Sequence, residues 1–155
     1  MIDIGPLSAG ERAGWEALFR DYLAFYGRTE PASMYEQAWR RFQDGAGVHA
    51  LGARMDGALV GIAHFLSHPN TSAPGVDSCY LQDLFTAPAA RGKGVARALI
   101  GAVREWAAEA GCGRLYWHTQ DTNATARRLY DQVADHRGFI VYQVALTPPG
   151  GGAER

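Results

Sequence analysis

Arg91-Gly92-Lys93-Gly94-Val95-Ala96 follows the apolar run from Tyr80 to Thr86 and opens an amphipathic segment from Val95 to Ala110. A strand that ends in a glycine-rich turn and feeds a helix presents unpaired backbone N–H groups, and the positive end of the helix dipole, to whatever occupies the turn. The stretch therefore reads as an anion cradle on an α/β scaffold, and its natural guest is a pyrophosphate. Two familiar phosphate loops fail on residue identity. A Walker A loop needs Ser or Thr after its lysine, whereas Lys93 is followed by Gly94. The dinucleotide fingerprint needs a third glycine where Arg97 stands, and it normally follows the first strand of a fold. A glycine-rich turn before a helix also serves as a plain tight connection, so the loop alone leaves that reading open.

A second block of residues bears on the choice. Leu115-Tyr116-Trp117-His118-Thr119 is strand-like, and Asn123, Ala126, Leu129 and Tyr130 follow in a helical pattern before Gly138-Phe139. The first block, Arg-x-x-Gly-x-Ala at Arg91, Gly94 and Ala96, resembles the pyrophosphate-loop signature of the GCN5-related N-acetyltransferases, the GNAT superfamily. The second resembles that superfamily's other signature block, with Asn, Ala, Leu-Tyr and Gly-Phe in order. The resemblance spans residues 2–146 and is specific from residue 80 to 142. Tyr116 to Gln120 together with Asn123 to Asp131 further resembles the branch containing fungal histone and polyamine acetyltransferase-like proteins and many bacterial relatives.

Composition agrees with a small enzyme. The 155 residues are 47% hydrophobic, enough for one globular domain with a sizeable core. No run approaches the roughly 18 consecutive apolar residues that suggest a membrane helix. Met1-Ile2-Asp3-Ile4-Gly5-Pro6 lacks the basic and apolar regions of a secretion signal. Cys79 and Cys112 are far apart, without a CxxC or a histidine at metal spacing, so neither a disulfide framework nor a metal site is expected. A cytoplasmic location with reduced thiols is the simple reading. A formal charge of -1 lacks the basic excess of nucleic-acid binders.

Along the chain, residues 1–6 suggest a strand, and Ser8 with Glu11 forms a capping box that starts a helix. Trp15, Leu18, Phe19, Tyr22, Leu23 and Tyr26 make an aromatic-rich stripe at helical spacing. Ser33 with Glu36 repeats the capping box before a second helix striped by Tyr35, Ala38, Trp39 and Phe42. Residues 48–55 and 58–68 read as strands joined by the hairpin turn Asp56-Gly57. Strand 78–86, helix 95–110 ended by Gly111, strand 114–119, helix 123–135 and strand 139–146 complete the pattern. The expected architecture is one GNAT domain over residues 1–147, a mixed, mostly antiparallel sheet with helices on both faces. Residues 148–155, rich in Pro and Gly, are expected to be a disordered tail.

The resemblance implies acetyl transfer from acetyl-CoA to an amine, with no metal. By the family pattern, Arg91, Gly92, Lys93, Gly94, Val95 and Ala96 hold the pyrophosphate, and the backbone at Leu84, Phe85 and Thr86 pairs with the pantetheine arm as an added strand. Thr86 stands where many relatives carry valine. Neutralising a primary amine of pKa about 10.4 at neutral pH costs roughly 4.6 kcal/mol, so the site must remove a proton. Asp83 is the candidate base. Gln82 replaces the Glu that polyamine-type relatives carry beside it, which leaves ordered water or His118 as further acceptors. His118 also reads as a satisfied core histidine. Tyr130, seven residues after Asn123, matches the tyrosine proposed in the family as the acid for the leaving thiolate, and Asn123 matches a cofactor contact. A plain core aromatic of its helix is the lesser reading of Tyr130. Tyr22 and Tyr26 are core candidates that the family pattern also places on the acceptor wall. The acceptor is expected to be a small amine, an amino acid or a basic peptide, and the assembly a homodimer. A coenzyme A binding module without catalysis and a structural or regulatory dimer are the competing classes.

Overall fold

The computed structural model describes residues 1–45 and 47–148. The chain divides into two compact units, Met1–Trp117 and His118–Arg155. The first holds strand β1 (Ile2–Gly5), helices α1 (Arg12–Phe25) and α2 (Ala32–Asp44), strands β2 (His49–Met55), β3 (Ala58–His68) and β4 (Ser78–Thr86), helix α3 (Val95–Glu109) and strand β5 (Arg114–Tyr116). The second holds α4 (Ala124–Val133).

The sheet runs β1-β2-β3-β4-β5, with antiparallel pairs up to β4 and a parallel β4–β5 pair. The mostly antiparallel α/β arrangement is the expected one. Short polar signals start and stop its elements. The Glu11 carboxylate accepts the Ser8 N–H at 2.8 Å, closing the capping box ahead of α1, and Arg54 grips the same carboxylate at 2.5 and 2.6 Å. Asp56 and Gly57 both adopt positive φ in the β2–β3 turn, as a tight hairpin demands. After α3, Gly111 takes φ 79° and the Cys112 N–H bonds back to Ala107 O at 2.9 Å, the left-handed exit expected there.

Helices cover both faces of the sheet because alternate β3 residues point to opposite sides. On one face Trp15, Leu18, Phe19 and Leu23 of α1 and Tyr35 and Trp39 of α2 bury against Ile62 and Phe85. Trp15 is fully buried, with ring centroids of Phe19, Trp39 and Phe42 at 5.6, 5.2 and 5.5 Å. On the other face α3 buries Val95, Leu99, Ile100, Val103 and Ala107. Gly61 lets α3 approach: a Cβ there would lie 2.7 Å from Val95 Cγ1 and 3.1 Å from Leu99 Cδ1. That close approach seats the first turn of α3 on the sheet.

Three expectations are corrected. α2 begins at Ala32 behind an extended Pro31, so Ser33 lies inside the first turn and does not cap it, and Glu36 pairs instead with Arg40 at 2.7 Å. Pro31 supplies the fixed φ that starts the helix two residues early. β5 ends at Tyr116 and not at residue 119. Residues 139–146 have strand composition yet form no ladder, and Phe139, Ile140, Val141, Tyr142, Val144 and Leu146 are all exposed. Propensity supplies the alternation of a strand, but a strand also needs a paired edge. Of the expected tail, Pro148 is irregular and exposed, and residues 149–155 lie outside the described residues.

Candidate active site

β4 is nine residues long, and its two neighbours treat it differently. β3 pairs with it from Ser78 to Thr86, whereas β5 pairs only with Ser78, Cys79 and Tyr80. Among the described residues no strand covers β4 from Leu81 to Thr86 on the β5 side, so the sheet opens along the segment where Leu84, Phe85 and Thr86 lie. An unpaired strand edge accepts an extended chain by backbone hydrogen bonds. The edge leads through a short turn, Pro88–Ala90, into the glycine loop.

The loop has the backbone of a cradle. Gly92 and Gly94 sit at φ 75° and 88°, and a Cβ on Gly92 would meet nothing, so the space above it is open. The first backbone bond of α3 runs from Ala98 N–H to Gly94 O at 3.0 Å, so the amides of Lys93, Gly94, Val95 and Ala96 precede it. Those amides and the helix dipole favour an anion. Arg91 is tied back to β4: its Nε donates to Thr86 O at 3.1 Å, and its guanidinium lies 5.5 Å from the Phe85 ring. Lys93 and Gly94 are exposed and Val95 is buried beneath the loop. Thr86 Oγ1 is buried with no hydrogen-bond partner, an orphaned donor at the end of the open edge. An extended chain carrying phosphates fits these features.

Asp83 lies on the same strand, three residues before Thr86. Its Oδ2 is 2.9 Å from His64 Nδ1, and His64 Nε2 accepts the Trp15 indole N–H at 2.9 Å. Burial first, then the nearby Asp83 charge, drives the Tyr22 pKa well above the ordinary phenol range. Tyr22 therefore keeps its proton at neutral pH. Its ring stands 6.2 Å from Phe85 and 5.2 Å from Tyr26, which is 40% exposed, so the two tyrosines extend outward from the core over β4. Gln82 is exposed and unpaired, because the β3–β4 register slips between His64 and Phe65 and leaves Gln82 as the extra residue of a bulge.

In the second unit Asn123 caps α4: its Oδ1 accepts the Ala126 N–H at 3.4 Å, and its Nδ2 donates to Thr119 Oγ1 at 3.3 Å. Tyr130 is half-buried on that helix. His118 is exposed beyond the end of β5, which corrects its reading as a core histidine. The buried Cys79 thiol is pushed up to about 11 by burial, and burial also raises that of Cys112. A separate cleft of about 250 Å³, lined by Trp39, Phe42, His49, Phe65 and Trp106 among others, includes no β4 residue. Its titratable group, His49, is lowered by burial. Among the described residues no cluster of three His, Cys, Asp or Glu side chains could hold a metal, and no helix is long and apolar enough to cross a membrane.

The profile of the Acetyltransferase (GNAT) family matches residues 15–134, which include the open edge, the loop and α4. The chain belongs to the GNAT family of N-acetyltransferases. It is 32% identical over 146 residues to the D-amino-acid N-acetyltransferase HPA3 of Saccharomyces cerevisiae, covering 92% of this chain and 89% of that one. It is 27% identical to the uncharacterized N-acetyltransferase YhfO of Bacillus subtilis, covering 91% and 95%. Among solved structures, a ribosomal-protein-alanine N-acetyltransferase from Brucella melitensis biovar Abortus superposes with TM-score 0.80 at 27% identity, over 94% of this chain and all of that one. AAC(6')-Iy in complex with a bisubstrate analogue superposes with TM-score 0.81 over 94% and 99% of the two chains, at 17% identity, a likeness of fold alone.

The glycine loop was the readable part of this arrangement. His64 and Trp15 were missed. His64 sits in an alternating strand pattern where nothing marks it, and its partnership with Asp83 comes from the β3–β4 register, which places the two residues opposite each other. The pairing of a lone buried-strand histidine with an aspartate on the next strand is the signal that register counting from the Asp56-Gly57 hairpin alone does not reach.

Proposed function

We propose that this GNAT protein transfers an acetyl group from acetyl-CoA directly to the primary amine of a small amine, an amino acid or a basic peptide. The observation that carries the reading is the open β4 edge, which runs past Asp83 into the glycine loop. Backbone groups at Leu84, Phe85 and Thr86 would hold the pantetheine arm, and the amides of Gly92 to Ala96 the pyrophosphate, with Arg91 bracing the loop. Asn123 would add a contact through the amide hydrogen that Thr119 leaves over. Acetyl-CoA supplies a thioester whose acyl carbon accepts the amine and whose sulfur leaves as a thiolate.

The chain's own residues handle the protons. Asp83, directly or through a water, takes the proton that an ammonium acceptor carries at neutral pH. Its negative charge also favours a cationic amine over a neutral one. Once the C–N bond has formed the nitrogen sheds its second proton to water, and as the C–S bond breaks Tyr130 gives its proton to the sulfur and is reprotonated from solvent. Tyr22, Tyr26 and Gln82 would flank the acceptor. A cysteine raised to about 11, as Cys79 is, makes a poor nucleophile at neutral pH, which favours direct transfer over an acyl-enzyme.

The yeast relative named for D-amino acids puts amino acids of both hands first among acceptors to try. Purified protein with acetyl-CoA should release free thiol with at least one amine from a panel of D- and L-amino acids, polyamines and basic peptides. Tight acetyl-CoA binding with no turnover on any of them would favour a coenzyme A binding module instead. We further propose a cytoplasmic homodimer. The exposed apolar run from Phe139 to Leu146 supports a second copy as its cover, since so much contiguous apolar surface is uncommon on a monomer.

A further inference from the structure

We propose that His64 is a positioning residue for acetyl transfer: its Nδ1–H, confined to that nitrogen by the Trp15 indole, fixes the Asp83 carboxylate in the orientation that receives the acceptor amine. The inference rests on the reading of Asp83 as the proton acceptor.

Trp15 Nε1 can only donate a hydrogen bond. At 2.9 Å from His64 Nε2 it obliges that nitrogen to accept, so the ring's proton resides on Nδ1 and points along the 2.9 Å bond to Asp83 Oδ2. The indole thereby sets the tautomer, and the tautomer sets the direction of the bond to the carboxylate. The surroundings keep this chain of bonds rigid. His64 is 2% exposed and Trp15 fully buried, with the Phe19 and Phe42 rings 4.7 and 4.9 Å from the imidazole. Hydrogen bonds in such an apolar enclosure are stronger, and an unmet one costs more, than at the surface.

Asp83 itself is not enclosed. Its side chain is 16% exposed, and the groups around it are His64 from β3, Tyr22 from α1 and Tyr80 from β4. A carboxylate offers about four lone-pair sites, and His64 accounts for one. The remaining sites stay available for an ammonium or a water. The His64 donor, itself held by Trp15, orients the carboxylate, as a third group orients the base in other catalytic constellations. The bulge at Gln82 is what allows it. It shifts the alternation of β4 so that Asp83 shares a face with His64, while Leu81 pairs with Phe65 beyond the slip.

The same geometry excludes a proton exit through His64. Its Nε2 faces an indole that neither accepts nor releases a proton in this role, so the line of bonds ends at Trp15. A proton taken by Asp83 leaves on the exposed side.

Two substitutions separate positioning from filling. His64→Asn can place an amide donor near the Nδ1 position but loses the acceptor for Trp15. His64→Gln can place an acceptor near the Nε2 position but loses the donor to Asp83. Steady-state kinetics with the best amine, with melting curves alongside, should give His64→Asn a kcat within about tenfold of wild type, and His64→Gln a kcat lower by about 100-fold, the scale of a misplaced catalytic group. Acetyl-CoA affinity should stay near wild type in both. In an Asp83→Asn background His64→Gln should cost little more. Equal losses in the two variants, no loss in either, or an undiminished loss in the Asp83→Asn background would overturn the positioning role. If Asp83→Asn alone leaves kcat unchanged, the Asp83 reading falls and this inference with it; if Asp83→Asn lowers kcat and His64→Gln does not, only the inference falls. Should the variants fail to fold, long-range proton–nitrogen correlation spectra of wild type labelled at histidine report the tautomer directly. The Nδ1–H form is expected, and an Nε2–H form at His64 contradicts it.

Discussion

Single residues differ sharply in how much of their role the chain order reveals. Gly92 and Gly94 were legible as glycines required by a tight anion loop, and both adopt positive φ. Asp83 was legible as a carboxylate on the strand before that loop. Asn123, expected as a cofactor contact, also caps α4 through its amide oxygen, a role that the spacing to Ala126 permits. His64 was not legible, because its meaning comes from Trp15, 49 residues away, and from a bulge that no residue type announces. Tyr130 gives the sharpest residue-level prediction. Tyr130→Phe keeps the ring and removes only the hydroxyl, so an acid acting on the leaving sulfur should show as a joint fall in kcat and kcat/KM of about tenfold to a thousandfold. Acetyl-CoA affinity and melting temperature should hold. An unchanged kcat leaves Tyr130 as packing.

Elements were legible where local chemistry decides them and illegible where pairing does. The hairpin at Asp56-Gly57, β4 from Ser78 to Thr86, and the α3 exit at Gly111 all follow from turn and cap residues. The start of α2 was misplaced because two start signals compete, and Pro31 overrides Ser33. Residues 139–146 alternate like a strand yet lie unpaired, since a ladder requires an edge that local sequence does not specify. Two predictions belong to this scale. Gly94→Val puts a branched residue at φ 88° where α3 begins, so it should lower stability by about 2 kcal/mol as well as weakening acetyl-CoA binding in the folded protein. Calorimetric titration checks the second effect, and near-normal affinity removes the loop assignment. Glu11 ties the entry of α1 to Arg54, whose hydrogen bonds pull its pKa from 4.5 to about 2. A lowered folded-state pKa means this stability is complete above about pH 4.5 and is lost as pH falls toward 2. Glu11→Gln should therefore cost about 2 kcal/mol near neutrality and flatten that part of the acid unfolding curve followed by circular dichroism.

At the level of the whole molecule, both faces of one sheet support the proposed site. Aromatic packing of α1 and α2 holds the His64–Asp83 pair from one side, and the Gly61 contact seats the N-terminus of α3 from the other. β4 runs between them, paired along one edge and, among the described residues, open beyond Tyr80 on the other. If a second copy covers residues 139–146, light scattering should report a dimer, and replacing Ile140 and Tyr142 by lysine should yield monomer; an unaltered mass would place the contact elsewhere. The measurement closest to the central claim is the pH dependence of turnover for wild type and Asp83→Asn with the best amine. Removing the proton acceptor should depress kcat/KM at neutral pH and restore part of it as pH rises toward the acceptor's own pKa, where the amine sheds its proton unaided. A loss of the same proportion at every pH, or no loss at all, would contradict Asp83 as the group that readies the amine for acetyl transfer.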